Sequence, residues 1–97
     1  MSHDQKLEQI KQQALPIFKK AEVTKAALFG SYVRGDNTDD SDIDILVDLP
    51  KHATLIDLVG LKLDLEDTLH KKVDVVEYAG INKLIRDSLL QNQYPLL

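Results

Sequence analysis

Eight residues from Asp42 to Leu49 alternate in polarity with a strict period of two: Asp42, Asp44, Leu46 and Asp48 share one side, Ile43, Ile45, Val47 and Leu49 the other. That pattern is a strand with one face in an apolar core, and Pro50 closes it. The second face is unusual, because three of its four positions are aspartates. The fold must therefore cover the Ile-Val side and leave the acidic side open to water or to a cation. A chain of 97 residues has room for one domain, so the cover has to come from elements close by in sequence.

Helical spacing supplies them. Leu7, Ile10, Ala14, Ile17, Phe18 and Ala21 recur at three and four residues, which predicts a helix over residues 4–21, with Pro16 expected to kink it, end it or mark a restart. The apolar run from Lys25 to Phe29, stopped by Gly30, predicts a short buried strand. Ser31 is placed to cap a helical turn through Tyr32, Val33 and Arg34, and residues 35–41 form a polar loop. Thr54 followed by Asp57 resembles a capping box, and Leu55, Leu58, Val59, Leu61, Leu65 and Leu69 continue at helical spacing to the His70-Lys71-Lys72 end. Leu61, Leu63 and Leu65 also alternate as a strand would, but the length of the segment favours the helix. Val73 to Tyr78 predicts a third strand with Asp74 set among valines, and Ile81, Leu84, Ile85 and Leu89 a last short helix after Gly80. Three strands separated by helices imply an α/β (α+β) fold, a small mixed sheet of about three strands with helices packed on it, as one domain spanning residues 1–97.

Composition narrows the function. With 43% hydrophobic and 29% charged residues the chain is an ordinary globule, and the absence of cysteine excludes disulfides and thiolate metal sites. The first twenty residues contain no continuous apolar stretch, so neither a signal peptide nor a membrane span is expected, and a cytoplasmic location fits. A net charge of -4 argues against direct binding to nucleic-acid backbone.

Asp42 and Asp44 project from one strand face about 7 Å apart. Such a pair repels itself unless a cation such as Mg²⁺ sits between, and Asp74, if its strand lies alongside, brings a third carboxylate. This is the ligand set of two-ion phosphoryl or nucleotidyl transfer. Upstream, Gly30 permits close backbone approach to a phosphate, Ser31 offers a hydroxyl and an N–H, and Arg34 lies one turn on. A triphosphate with Mg²⁺ suits both halves. Two rival motifs fail by spelling. Gly30 and Gly35 mimic a Walker A loop, but Asp36 and Asn37 occupy the places of its Lys and Ser/Thr. Asp40, Asp42 and Asp44 mimic an EF-hand loop, but Ile45 stands where the turn glycine belongs and Lys51 where the bidentate Glu belongs. Arg34 can alternatively pair with a loop acid. His3, His52 and His70 are scattered and read as surface residues.

Gly-Ser, ten residues, then Asp-x-Asp resembles the signature of the polymerase-β-like nucleotidyltransferase superfamily, and a chain this short looks like a minimal nucleotidyltransferase (MNT) domain. The resemblance extends from the helix before the Lys25 strand to the Ile81 helix. It implies that Gly30 and Ser31 hold the nucleotide phosphates, that Asp42 and Asp44 bind the metal ions, and that Asp74 completes the site. MNT proteins are commonly the antitoxin partners of HEPN-domain ribonuclease toxins. The resemblance thus implies Mg²⁺-dependent transfer of AMP from ATP to a tyrosine of such a toxin, with the partner protein supplying the acceptor that so short a chain has no lobe to hold. Neutralisation by binding alone and transfer to a small molecule, such as an antibiotic, are the alternatives.

Overall fold

The computed structural model describes residues 2–81 and 92–97. Its centre is the acidic-apolar strand. Strand β2 (Ile43–Asp48) pairs antiparallel with β1 (Lys25–Phe29) and parallel with β3 (Val73–Glu77), and the sheet order is β3-β2-β1-β4. Strand β2 begins at Ile43, one residue later than its alternation suggested, with Asp42 just ahead of it. β4 (Tyr94–Pro95) is the addition to the three expected strands. It pairs with β1 through Leu28 and Ala27, and Pro95 is tolerated because β4 is an edge strand. The backbone N–H groups of Leu96 and Leu97 both reach the Ala26 carbonyl, at 2.8 and 3.2 Å. Leu96 is thereby sealed into the chain's own core, while Leu97 stays exposed.

Two helices cover one face of the sheet. α1 (His3–Lys20) buries Leu7, Ile10, Ala14 and Phe18, and α3 (Leu55–Leu69) buries Leu61 and Leu65. They pack on the sheet side carrying Ala26, Leu28, Ile43, Ile45, Val47 and Val73. α1 runs uninterrupted through Pro16. That proline lies on the exposed side, so the hydrogen bond it cannot donate is missed by a carbonyl, that of Gln12, which water can reach. In the Leu61-Leu63-Leu65 segment the helical period prevails: Leu61 and Leu65 are buried and Leu63 points outward. The expected Ile81–Leu89 helix lies, beyond Ile81, outside the described residues.

The Thr54–Asp57 capping box forms as the spacing foretold. Asp57 N–H donates to Thr54 Oγ1 at 3.3 Å and Thr54 N–H donates to Asp57 Oδ2 at 2.8 Å. Thr54→Ala is expected to lower unfolding free energy by about 1 kcal/mol and the melting temperature by roughly 4–8 °C, with Thr54→Ser near wild type. Thermal denaturation followed by circular dichroism measures both, and an unchanged midpoint in the alanine variant would show the cap to be dispensable.

The opposite face of the sheet carries Asp44, Leu46 and Asp48 from β2, with their register partners Phe29, Ala27 and Lys25 from β1. Leu46 and Ala27 are buried here too, and Tyr78, in the 3₁₀ turn Tyr78–Gly80, places its ring 4.7 Å from Lys25 Nζ. The far end of this face, at Asp44, is where the sheet becomes polar. No helix among the described residues is long and apolar enough to cross a membrane.

Candidate active site

The corner is made where β1 ends. Gly30 turns the chain with φ 77° and ψ -149°, backbone that only glycine adopts readily. A Cβ placed on it would overlap the carboxylate of Asp44. The absence of a side chain at 30 and the presence of a carboxylate at 44 are thus one packing decision. The short helix α2 (Ser31–Arg34) follows, and Gly35, left-handed at φ 83°, closes it. Gly30, rather than Ser31 as expected, is the N-cap residue, so the Ser31 hydroxyl is not committed to capping. The Ser31 and Tyr32 N–H groups, at the first two helical positions, have no partner within the helix.

α2 is held from behind by α1. The Nε2 of His3 lies 2.6 Å from the Tyr32 carbonyl, which requires the N–H to sit on that nitrogen, and the same ring rests against Gly35. His3 is a surface residue, as expected, and it also anchors the turn that carries Ser31. A contact between residues so far apart in sequence leaves no local periodicity by which to find it. The loop leading to β2 is fixed at two points. Thr38 N–H donates to Ser41 Oγ at 2.8 Å, and Lys71 Nζ donates to the Asp39 carbonyl at 2.9 Å, tying the loop to the start of β3.

Asp44 faces Asp74 directly in the parallel β2–β3 register and Phe29 in the β1–β2 register. Register partners on neighbouring strands lie about 4.8 Å apart with side chains on one face, so Asp44 and Asp74 are neighbours and Asp42 stands one step along the same face. Asp44 is half-buried; Asp42 and Asp74 are exposed. Burial first, then the charges of Asp74 and Asp42, push the Asp44 carboxyl above its ordinary range, against a smaller opposing pull from Arg34. Arg34 meanwhile pairs with Asp36, Nε to Oδ2 at 3.3 Å, with both side chains exposed. It is thus the partner of a loop acid and a cation near Asp44 at once. Asp36, Asp39 and Asp40 lie exposed on the loop, and Asp48 is at the other end of β2 beside Lys25.

Among the described residues no three His, Asp or Glu side chains are drawn together into a ready-made metal cage. The three carboxylates are nonetheless hard oxygen donors on one face whose mutual repulsion is felt at Asp44, and a hard divalent cation is the species that relieves it. The donor chemistry fits Mg²⁺.

The same repulsion sets a pH dependence. Because the folded-state pKa of Asp44 is raised, the folded chain binds more protons than the unfolded one between the two values, and stability falls as pH rises through that window. With divalent cations chelated, Asp44→Asn is expected to melt above wild type at neutral pH, and the gap to narrow as pH falls below the carboxylate range. Thermal scans across pH check it; a variant less stable than wild type at neutral pH would contradict the sign.

A mixed sheet with a Gly-Ser turn folded onto one carboxylate and a second carboxylate in register beside it defines a class. The chain belongs to the nucleotidyltransferase family, whose domain matches residues 7–93, and it is a nucleotidyltransferase. It is 42% identical over 91 residues to a Methanocaldococcus jannaschii protein named as a protein adenylyltransferase, covering 94% of this chain and 98% of that one. Its fold is similar to that of a minimal nucleotidyltransferase, with a TM-score of 0.83 at 32% identity over 98% of this chain and 96% of the other. A chain in the complex of a tri-AMPylated Shewanella oneidensis HEPN toxin with its MNT antitoxin is similar in fold, with a TM-score of 0.72 at 19% identity over 94% and 71% of the two chains.

Proposed function

We propose that this chain is an Mg²⁺-dependent protein adenylyltransferase that moves AMP from ATP to a tyrosine hydroxyl of a HEPN-domain toxin and so acts as its antitoxin. The observation that carries the reading is the seating of the Gly30 turn on Asp44, with Asp74 in register beside it. This arrangement suits a nucleotide triphosphate lying between donors and carboxylates. In this reading the Ser31 hydroxyl and the N–H groups of Ser31 and Tyr32 bind phosphate oxygens, and Arg34 adds charge once it leaves Asp36. Asp42, Asp44 and Asp74 hold magnesium, which when bound polarises the phosphate and favours ionisation of the attacking hydroxyl. Asp74, on the exposed rim of the site, takes the proton as the acceptor oxygen bonds to the α-phosphorus and pyrophosphate departs. The relative named as a protein adenylyltransferase and the AMPylated toxin complex support a protein acceptor. A cytoplasmic setting supplies both ATP and magnesium.

Mass spectrometry of a HEPN partner incubated with this chain, ATP and Mg²⁺ tests the proposal. Adducts of AMP mass on a tyrosine are expected, and none should form when magnesium is chelated. An unmodified partner under conditions where the chain adenylylates a small molecule would overturn the choice of acceptor.

A further inference from the structure

α3 has more apolar surface than its own fold uses. Leu58, Leu61, Leu65 and Leu69 face the core, yet Leu55, Ile56, Val59 and Leu63 are 74%, 82%, 47% and 57% exposed on the outer side. Leu55, Val59 and Leu63 follow at intervals of four, so they form one continuous stripe. Beside the stripe stands Gly60, in mid-helix, where a side chain would meet nothing within 4 Å among the described residues. A glycine there weakens the helix relative to alanine, and no contact among the described residues requires it. It does leave a shallow place on the outer face where a second helix can come close.

We propose that this face pairs two copies of the chain, α3 against α3, antiparallel about a two-fold axis at Val59. Charge selects the direction. A parallel pair would set like on like, Lys62 against the partner's Lys62 and Asp67 against the partner's Asp67. The antiparallel register lays Leu55 on the partner's Leu63 and Val59 on the partner's Val59, and it moves Lys62 and Asp67 away from their own copies. The stripe is therefore complementary to itself, a property that only a second copy exploits. Eight large apolar side chains with their flanks bury on the order of 1,000 Å², the low end for a specific interface, so the dimer is concentration-dependent. α3 packs on the sheet face opposite Asp44, so both candidate sites of the dimer face outward and remain open to a partner protein.

Sedimentation of the full chain across micromolar to high micromolar concentration should show the mass rising from one chain to two. Val59→Asp, which sets two carboxylates against each other at the axis, should move the midpoint at least about tenfold higher with an unchanged circular dichroism spectrum. Because the chain contains no cysteine, single-cysteine variants report the register. Val59→Cys should form disulfide dimers much faster than Gln12→Cys on the exposed side of α1. Leu55→Cys mixed with Leu63→Cys should crosslink faster than either alone. A single-chain mass at every concentration overturns the proposal, as does a dimer in which Val59→Cys crosslinks no faster than Gln12→Cys; the latter would place the contact on another surface.

Discussion

The double variant Asp42→Asn, Asp44→Asn is expected to lose AMP transfer by at least about a thousandfold while keeping its fold. Neither carboxylate makes a hydrogen bond or an ion pair within the described residues, so the amides forfeit no stabilising contact. What they remove is charge that the fold holds at a cost, since burial and its two acidic neighbours all disfavour ionised Asp44. Carboxylates perturbed in this way cluster at functional sites. Asp74→Asn alone should lower the maximal rate more than it weakens ATP binding if Asp74 takes the acceptor's proton as proposed, and its exposed place beside Asp44 suits that role. Initial rates from mass spectrometry, with circular dichroism to confirm folding, measure these losses; transfer by the double variant at the wild-type rate would falsify the metal-site reading. Coexpression with a toxin separates catalysis from binding. Loss of protection by the double variant means that modification neutralises the toxin, and retained protection means that complex formation suffices.

The feature most legible in the sequence was the β2 alternation, because a period of two is local and its apolar side had to be covered. β1, α1, α3 and β3 followed from equally local signals of spacing, capping and chain-stopping glycine. β4 was not legible: two residues, one of them proline, carry no period, and the strand exists only because β1 offers an edge and Leu96 a place in the core. The cap of α2 falls one residue earlier than the sequence suggests, since serine is the better capping side chain and only the fold shows the positive φ and the approach of Asp44 that require glycine there. In the candidate site, the spacing of Gly30-Ser31 and Asp42-x-Asp44 named the groups, and the β2–β3 register brought Asp74 level with Asp44. The anchoring of α2 by His3 and of the loop by Lys71 was invisible, because both bonds join residues about thirty positions apart through single backbone carbonyls.

Gly30→Ala carries the second large expectation, a combined loss of stability and activity from one methyl group. The backbone at 30 lies where an L side chain is strained, which costs on the order of 1–3 kcal/mol if the turn is kept. The added carbon also displaces the Asp44 carboxylate, the nearest group to it. Transfer should therefore fall by about a hundredfold, the usual scale for an ångström of misplacement at a reacting site. Gly35→Ala separates the two effects. It introduces milder strain at the other end of α2, in the left-handed region at φ 83° and ψ 9°, and the new carbon meets the His3 ring at ordinary van der Waals distance. The expected result is a smaller drop in melting temperature in Gly35→Ala than in Gly30→Ala, and a loss of activity in Gly30→Ala far deeper than the difference in stability accounts for. Equal losses of activity would mean that the turn matters only as a support, and that its contact with Asp44 has no part in placing the carboxylate for chemistry.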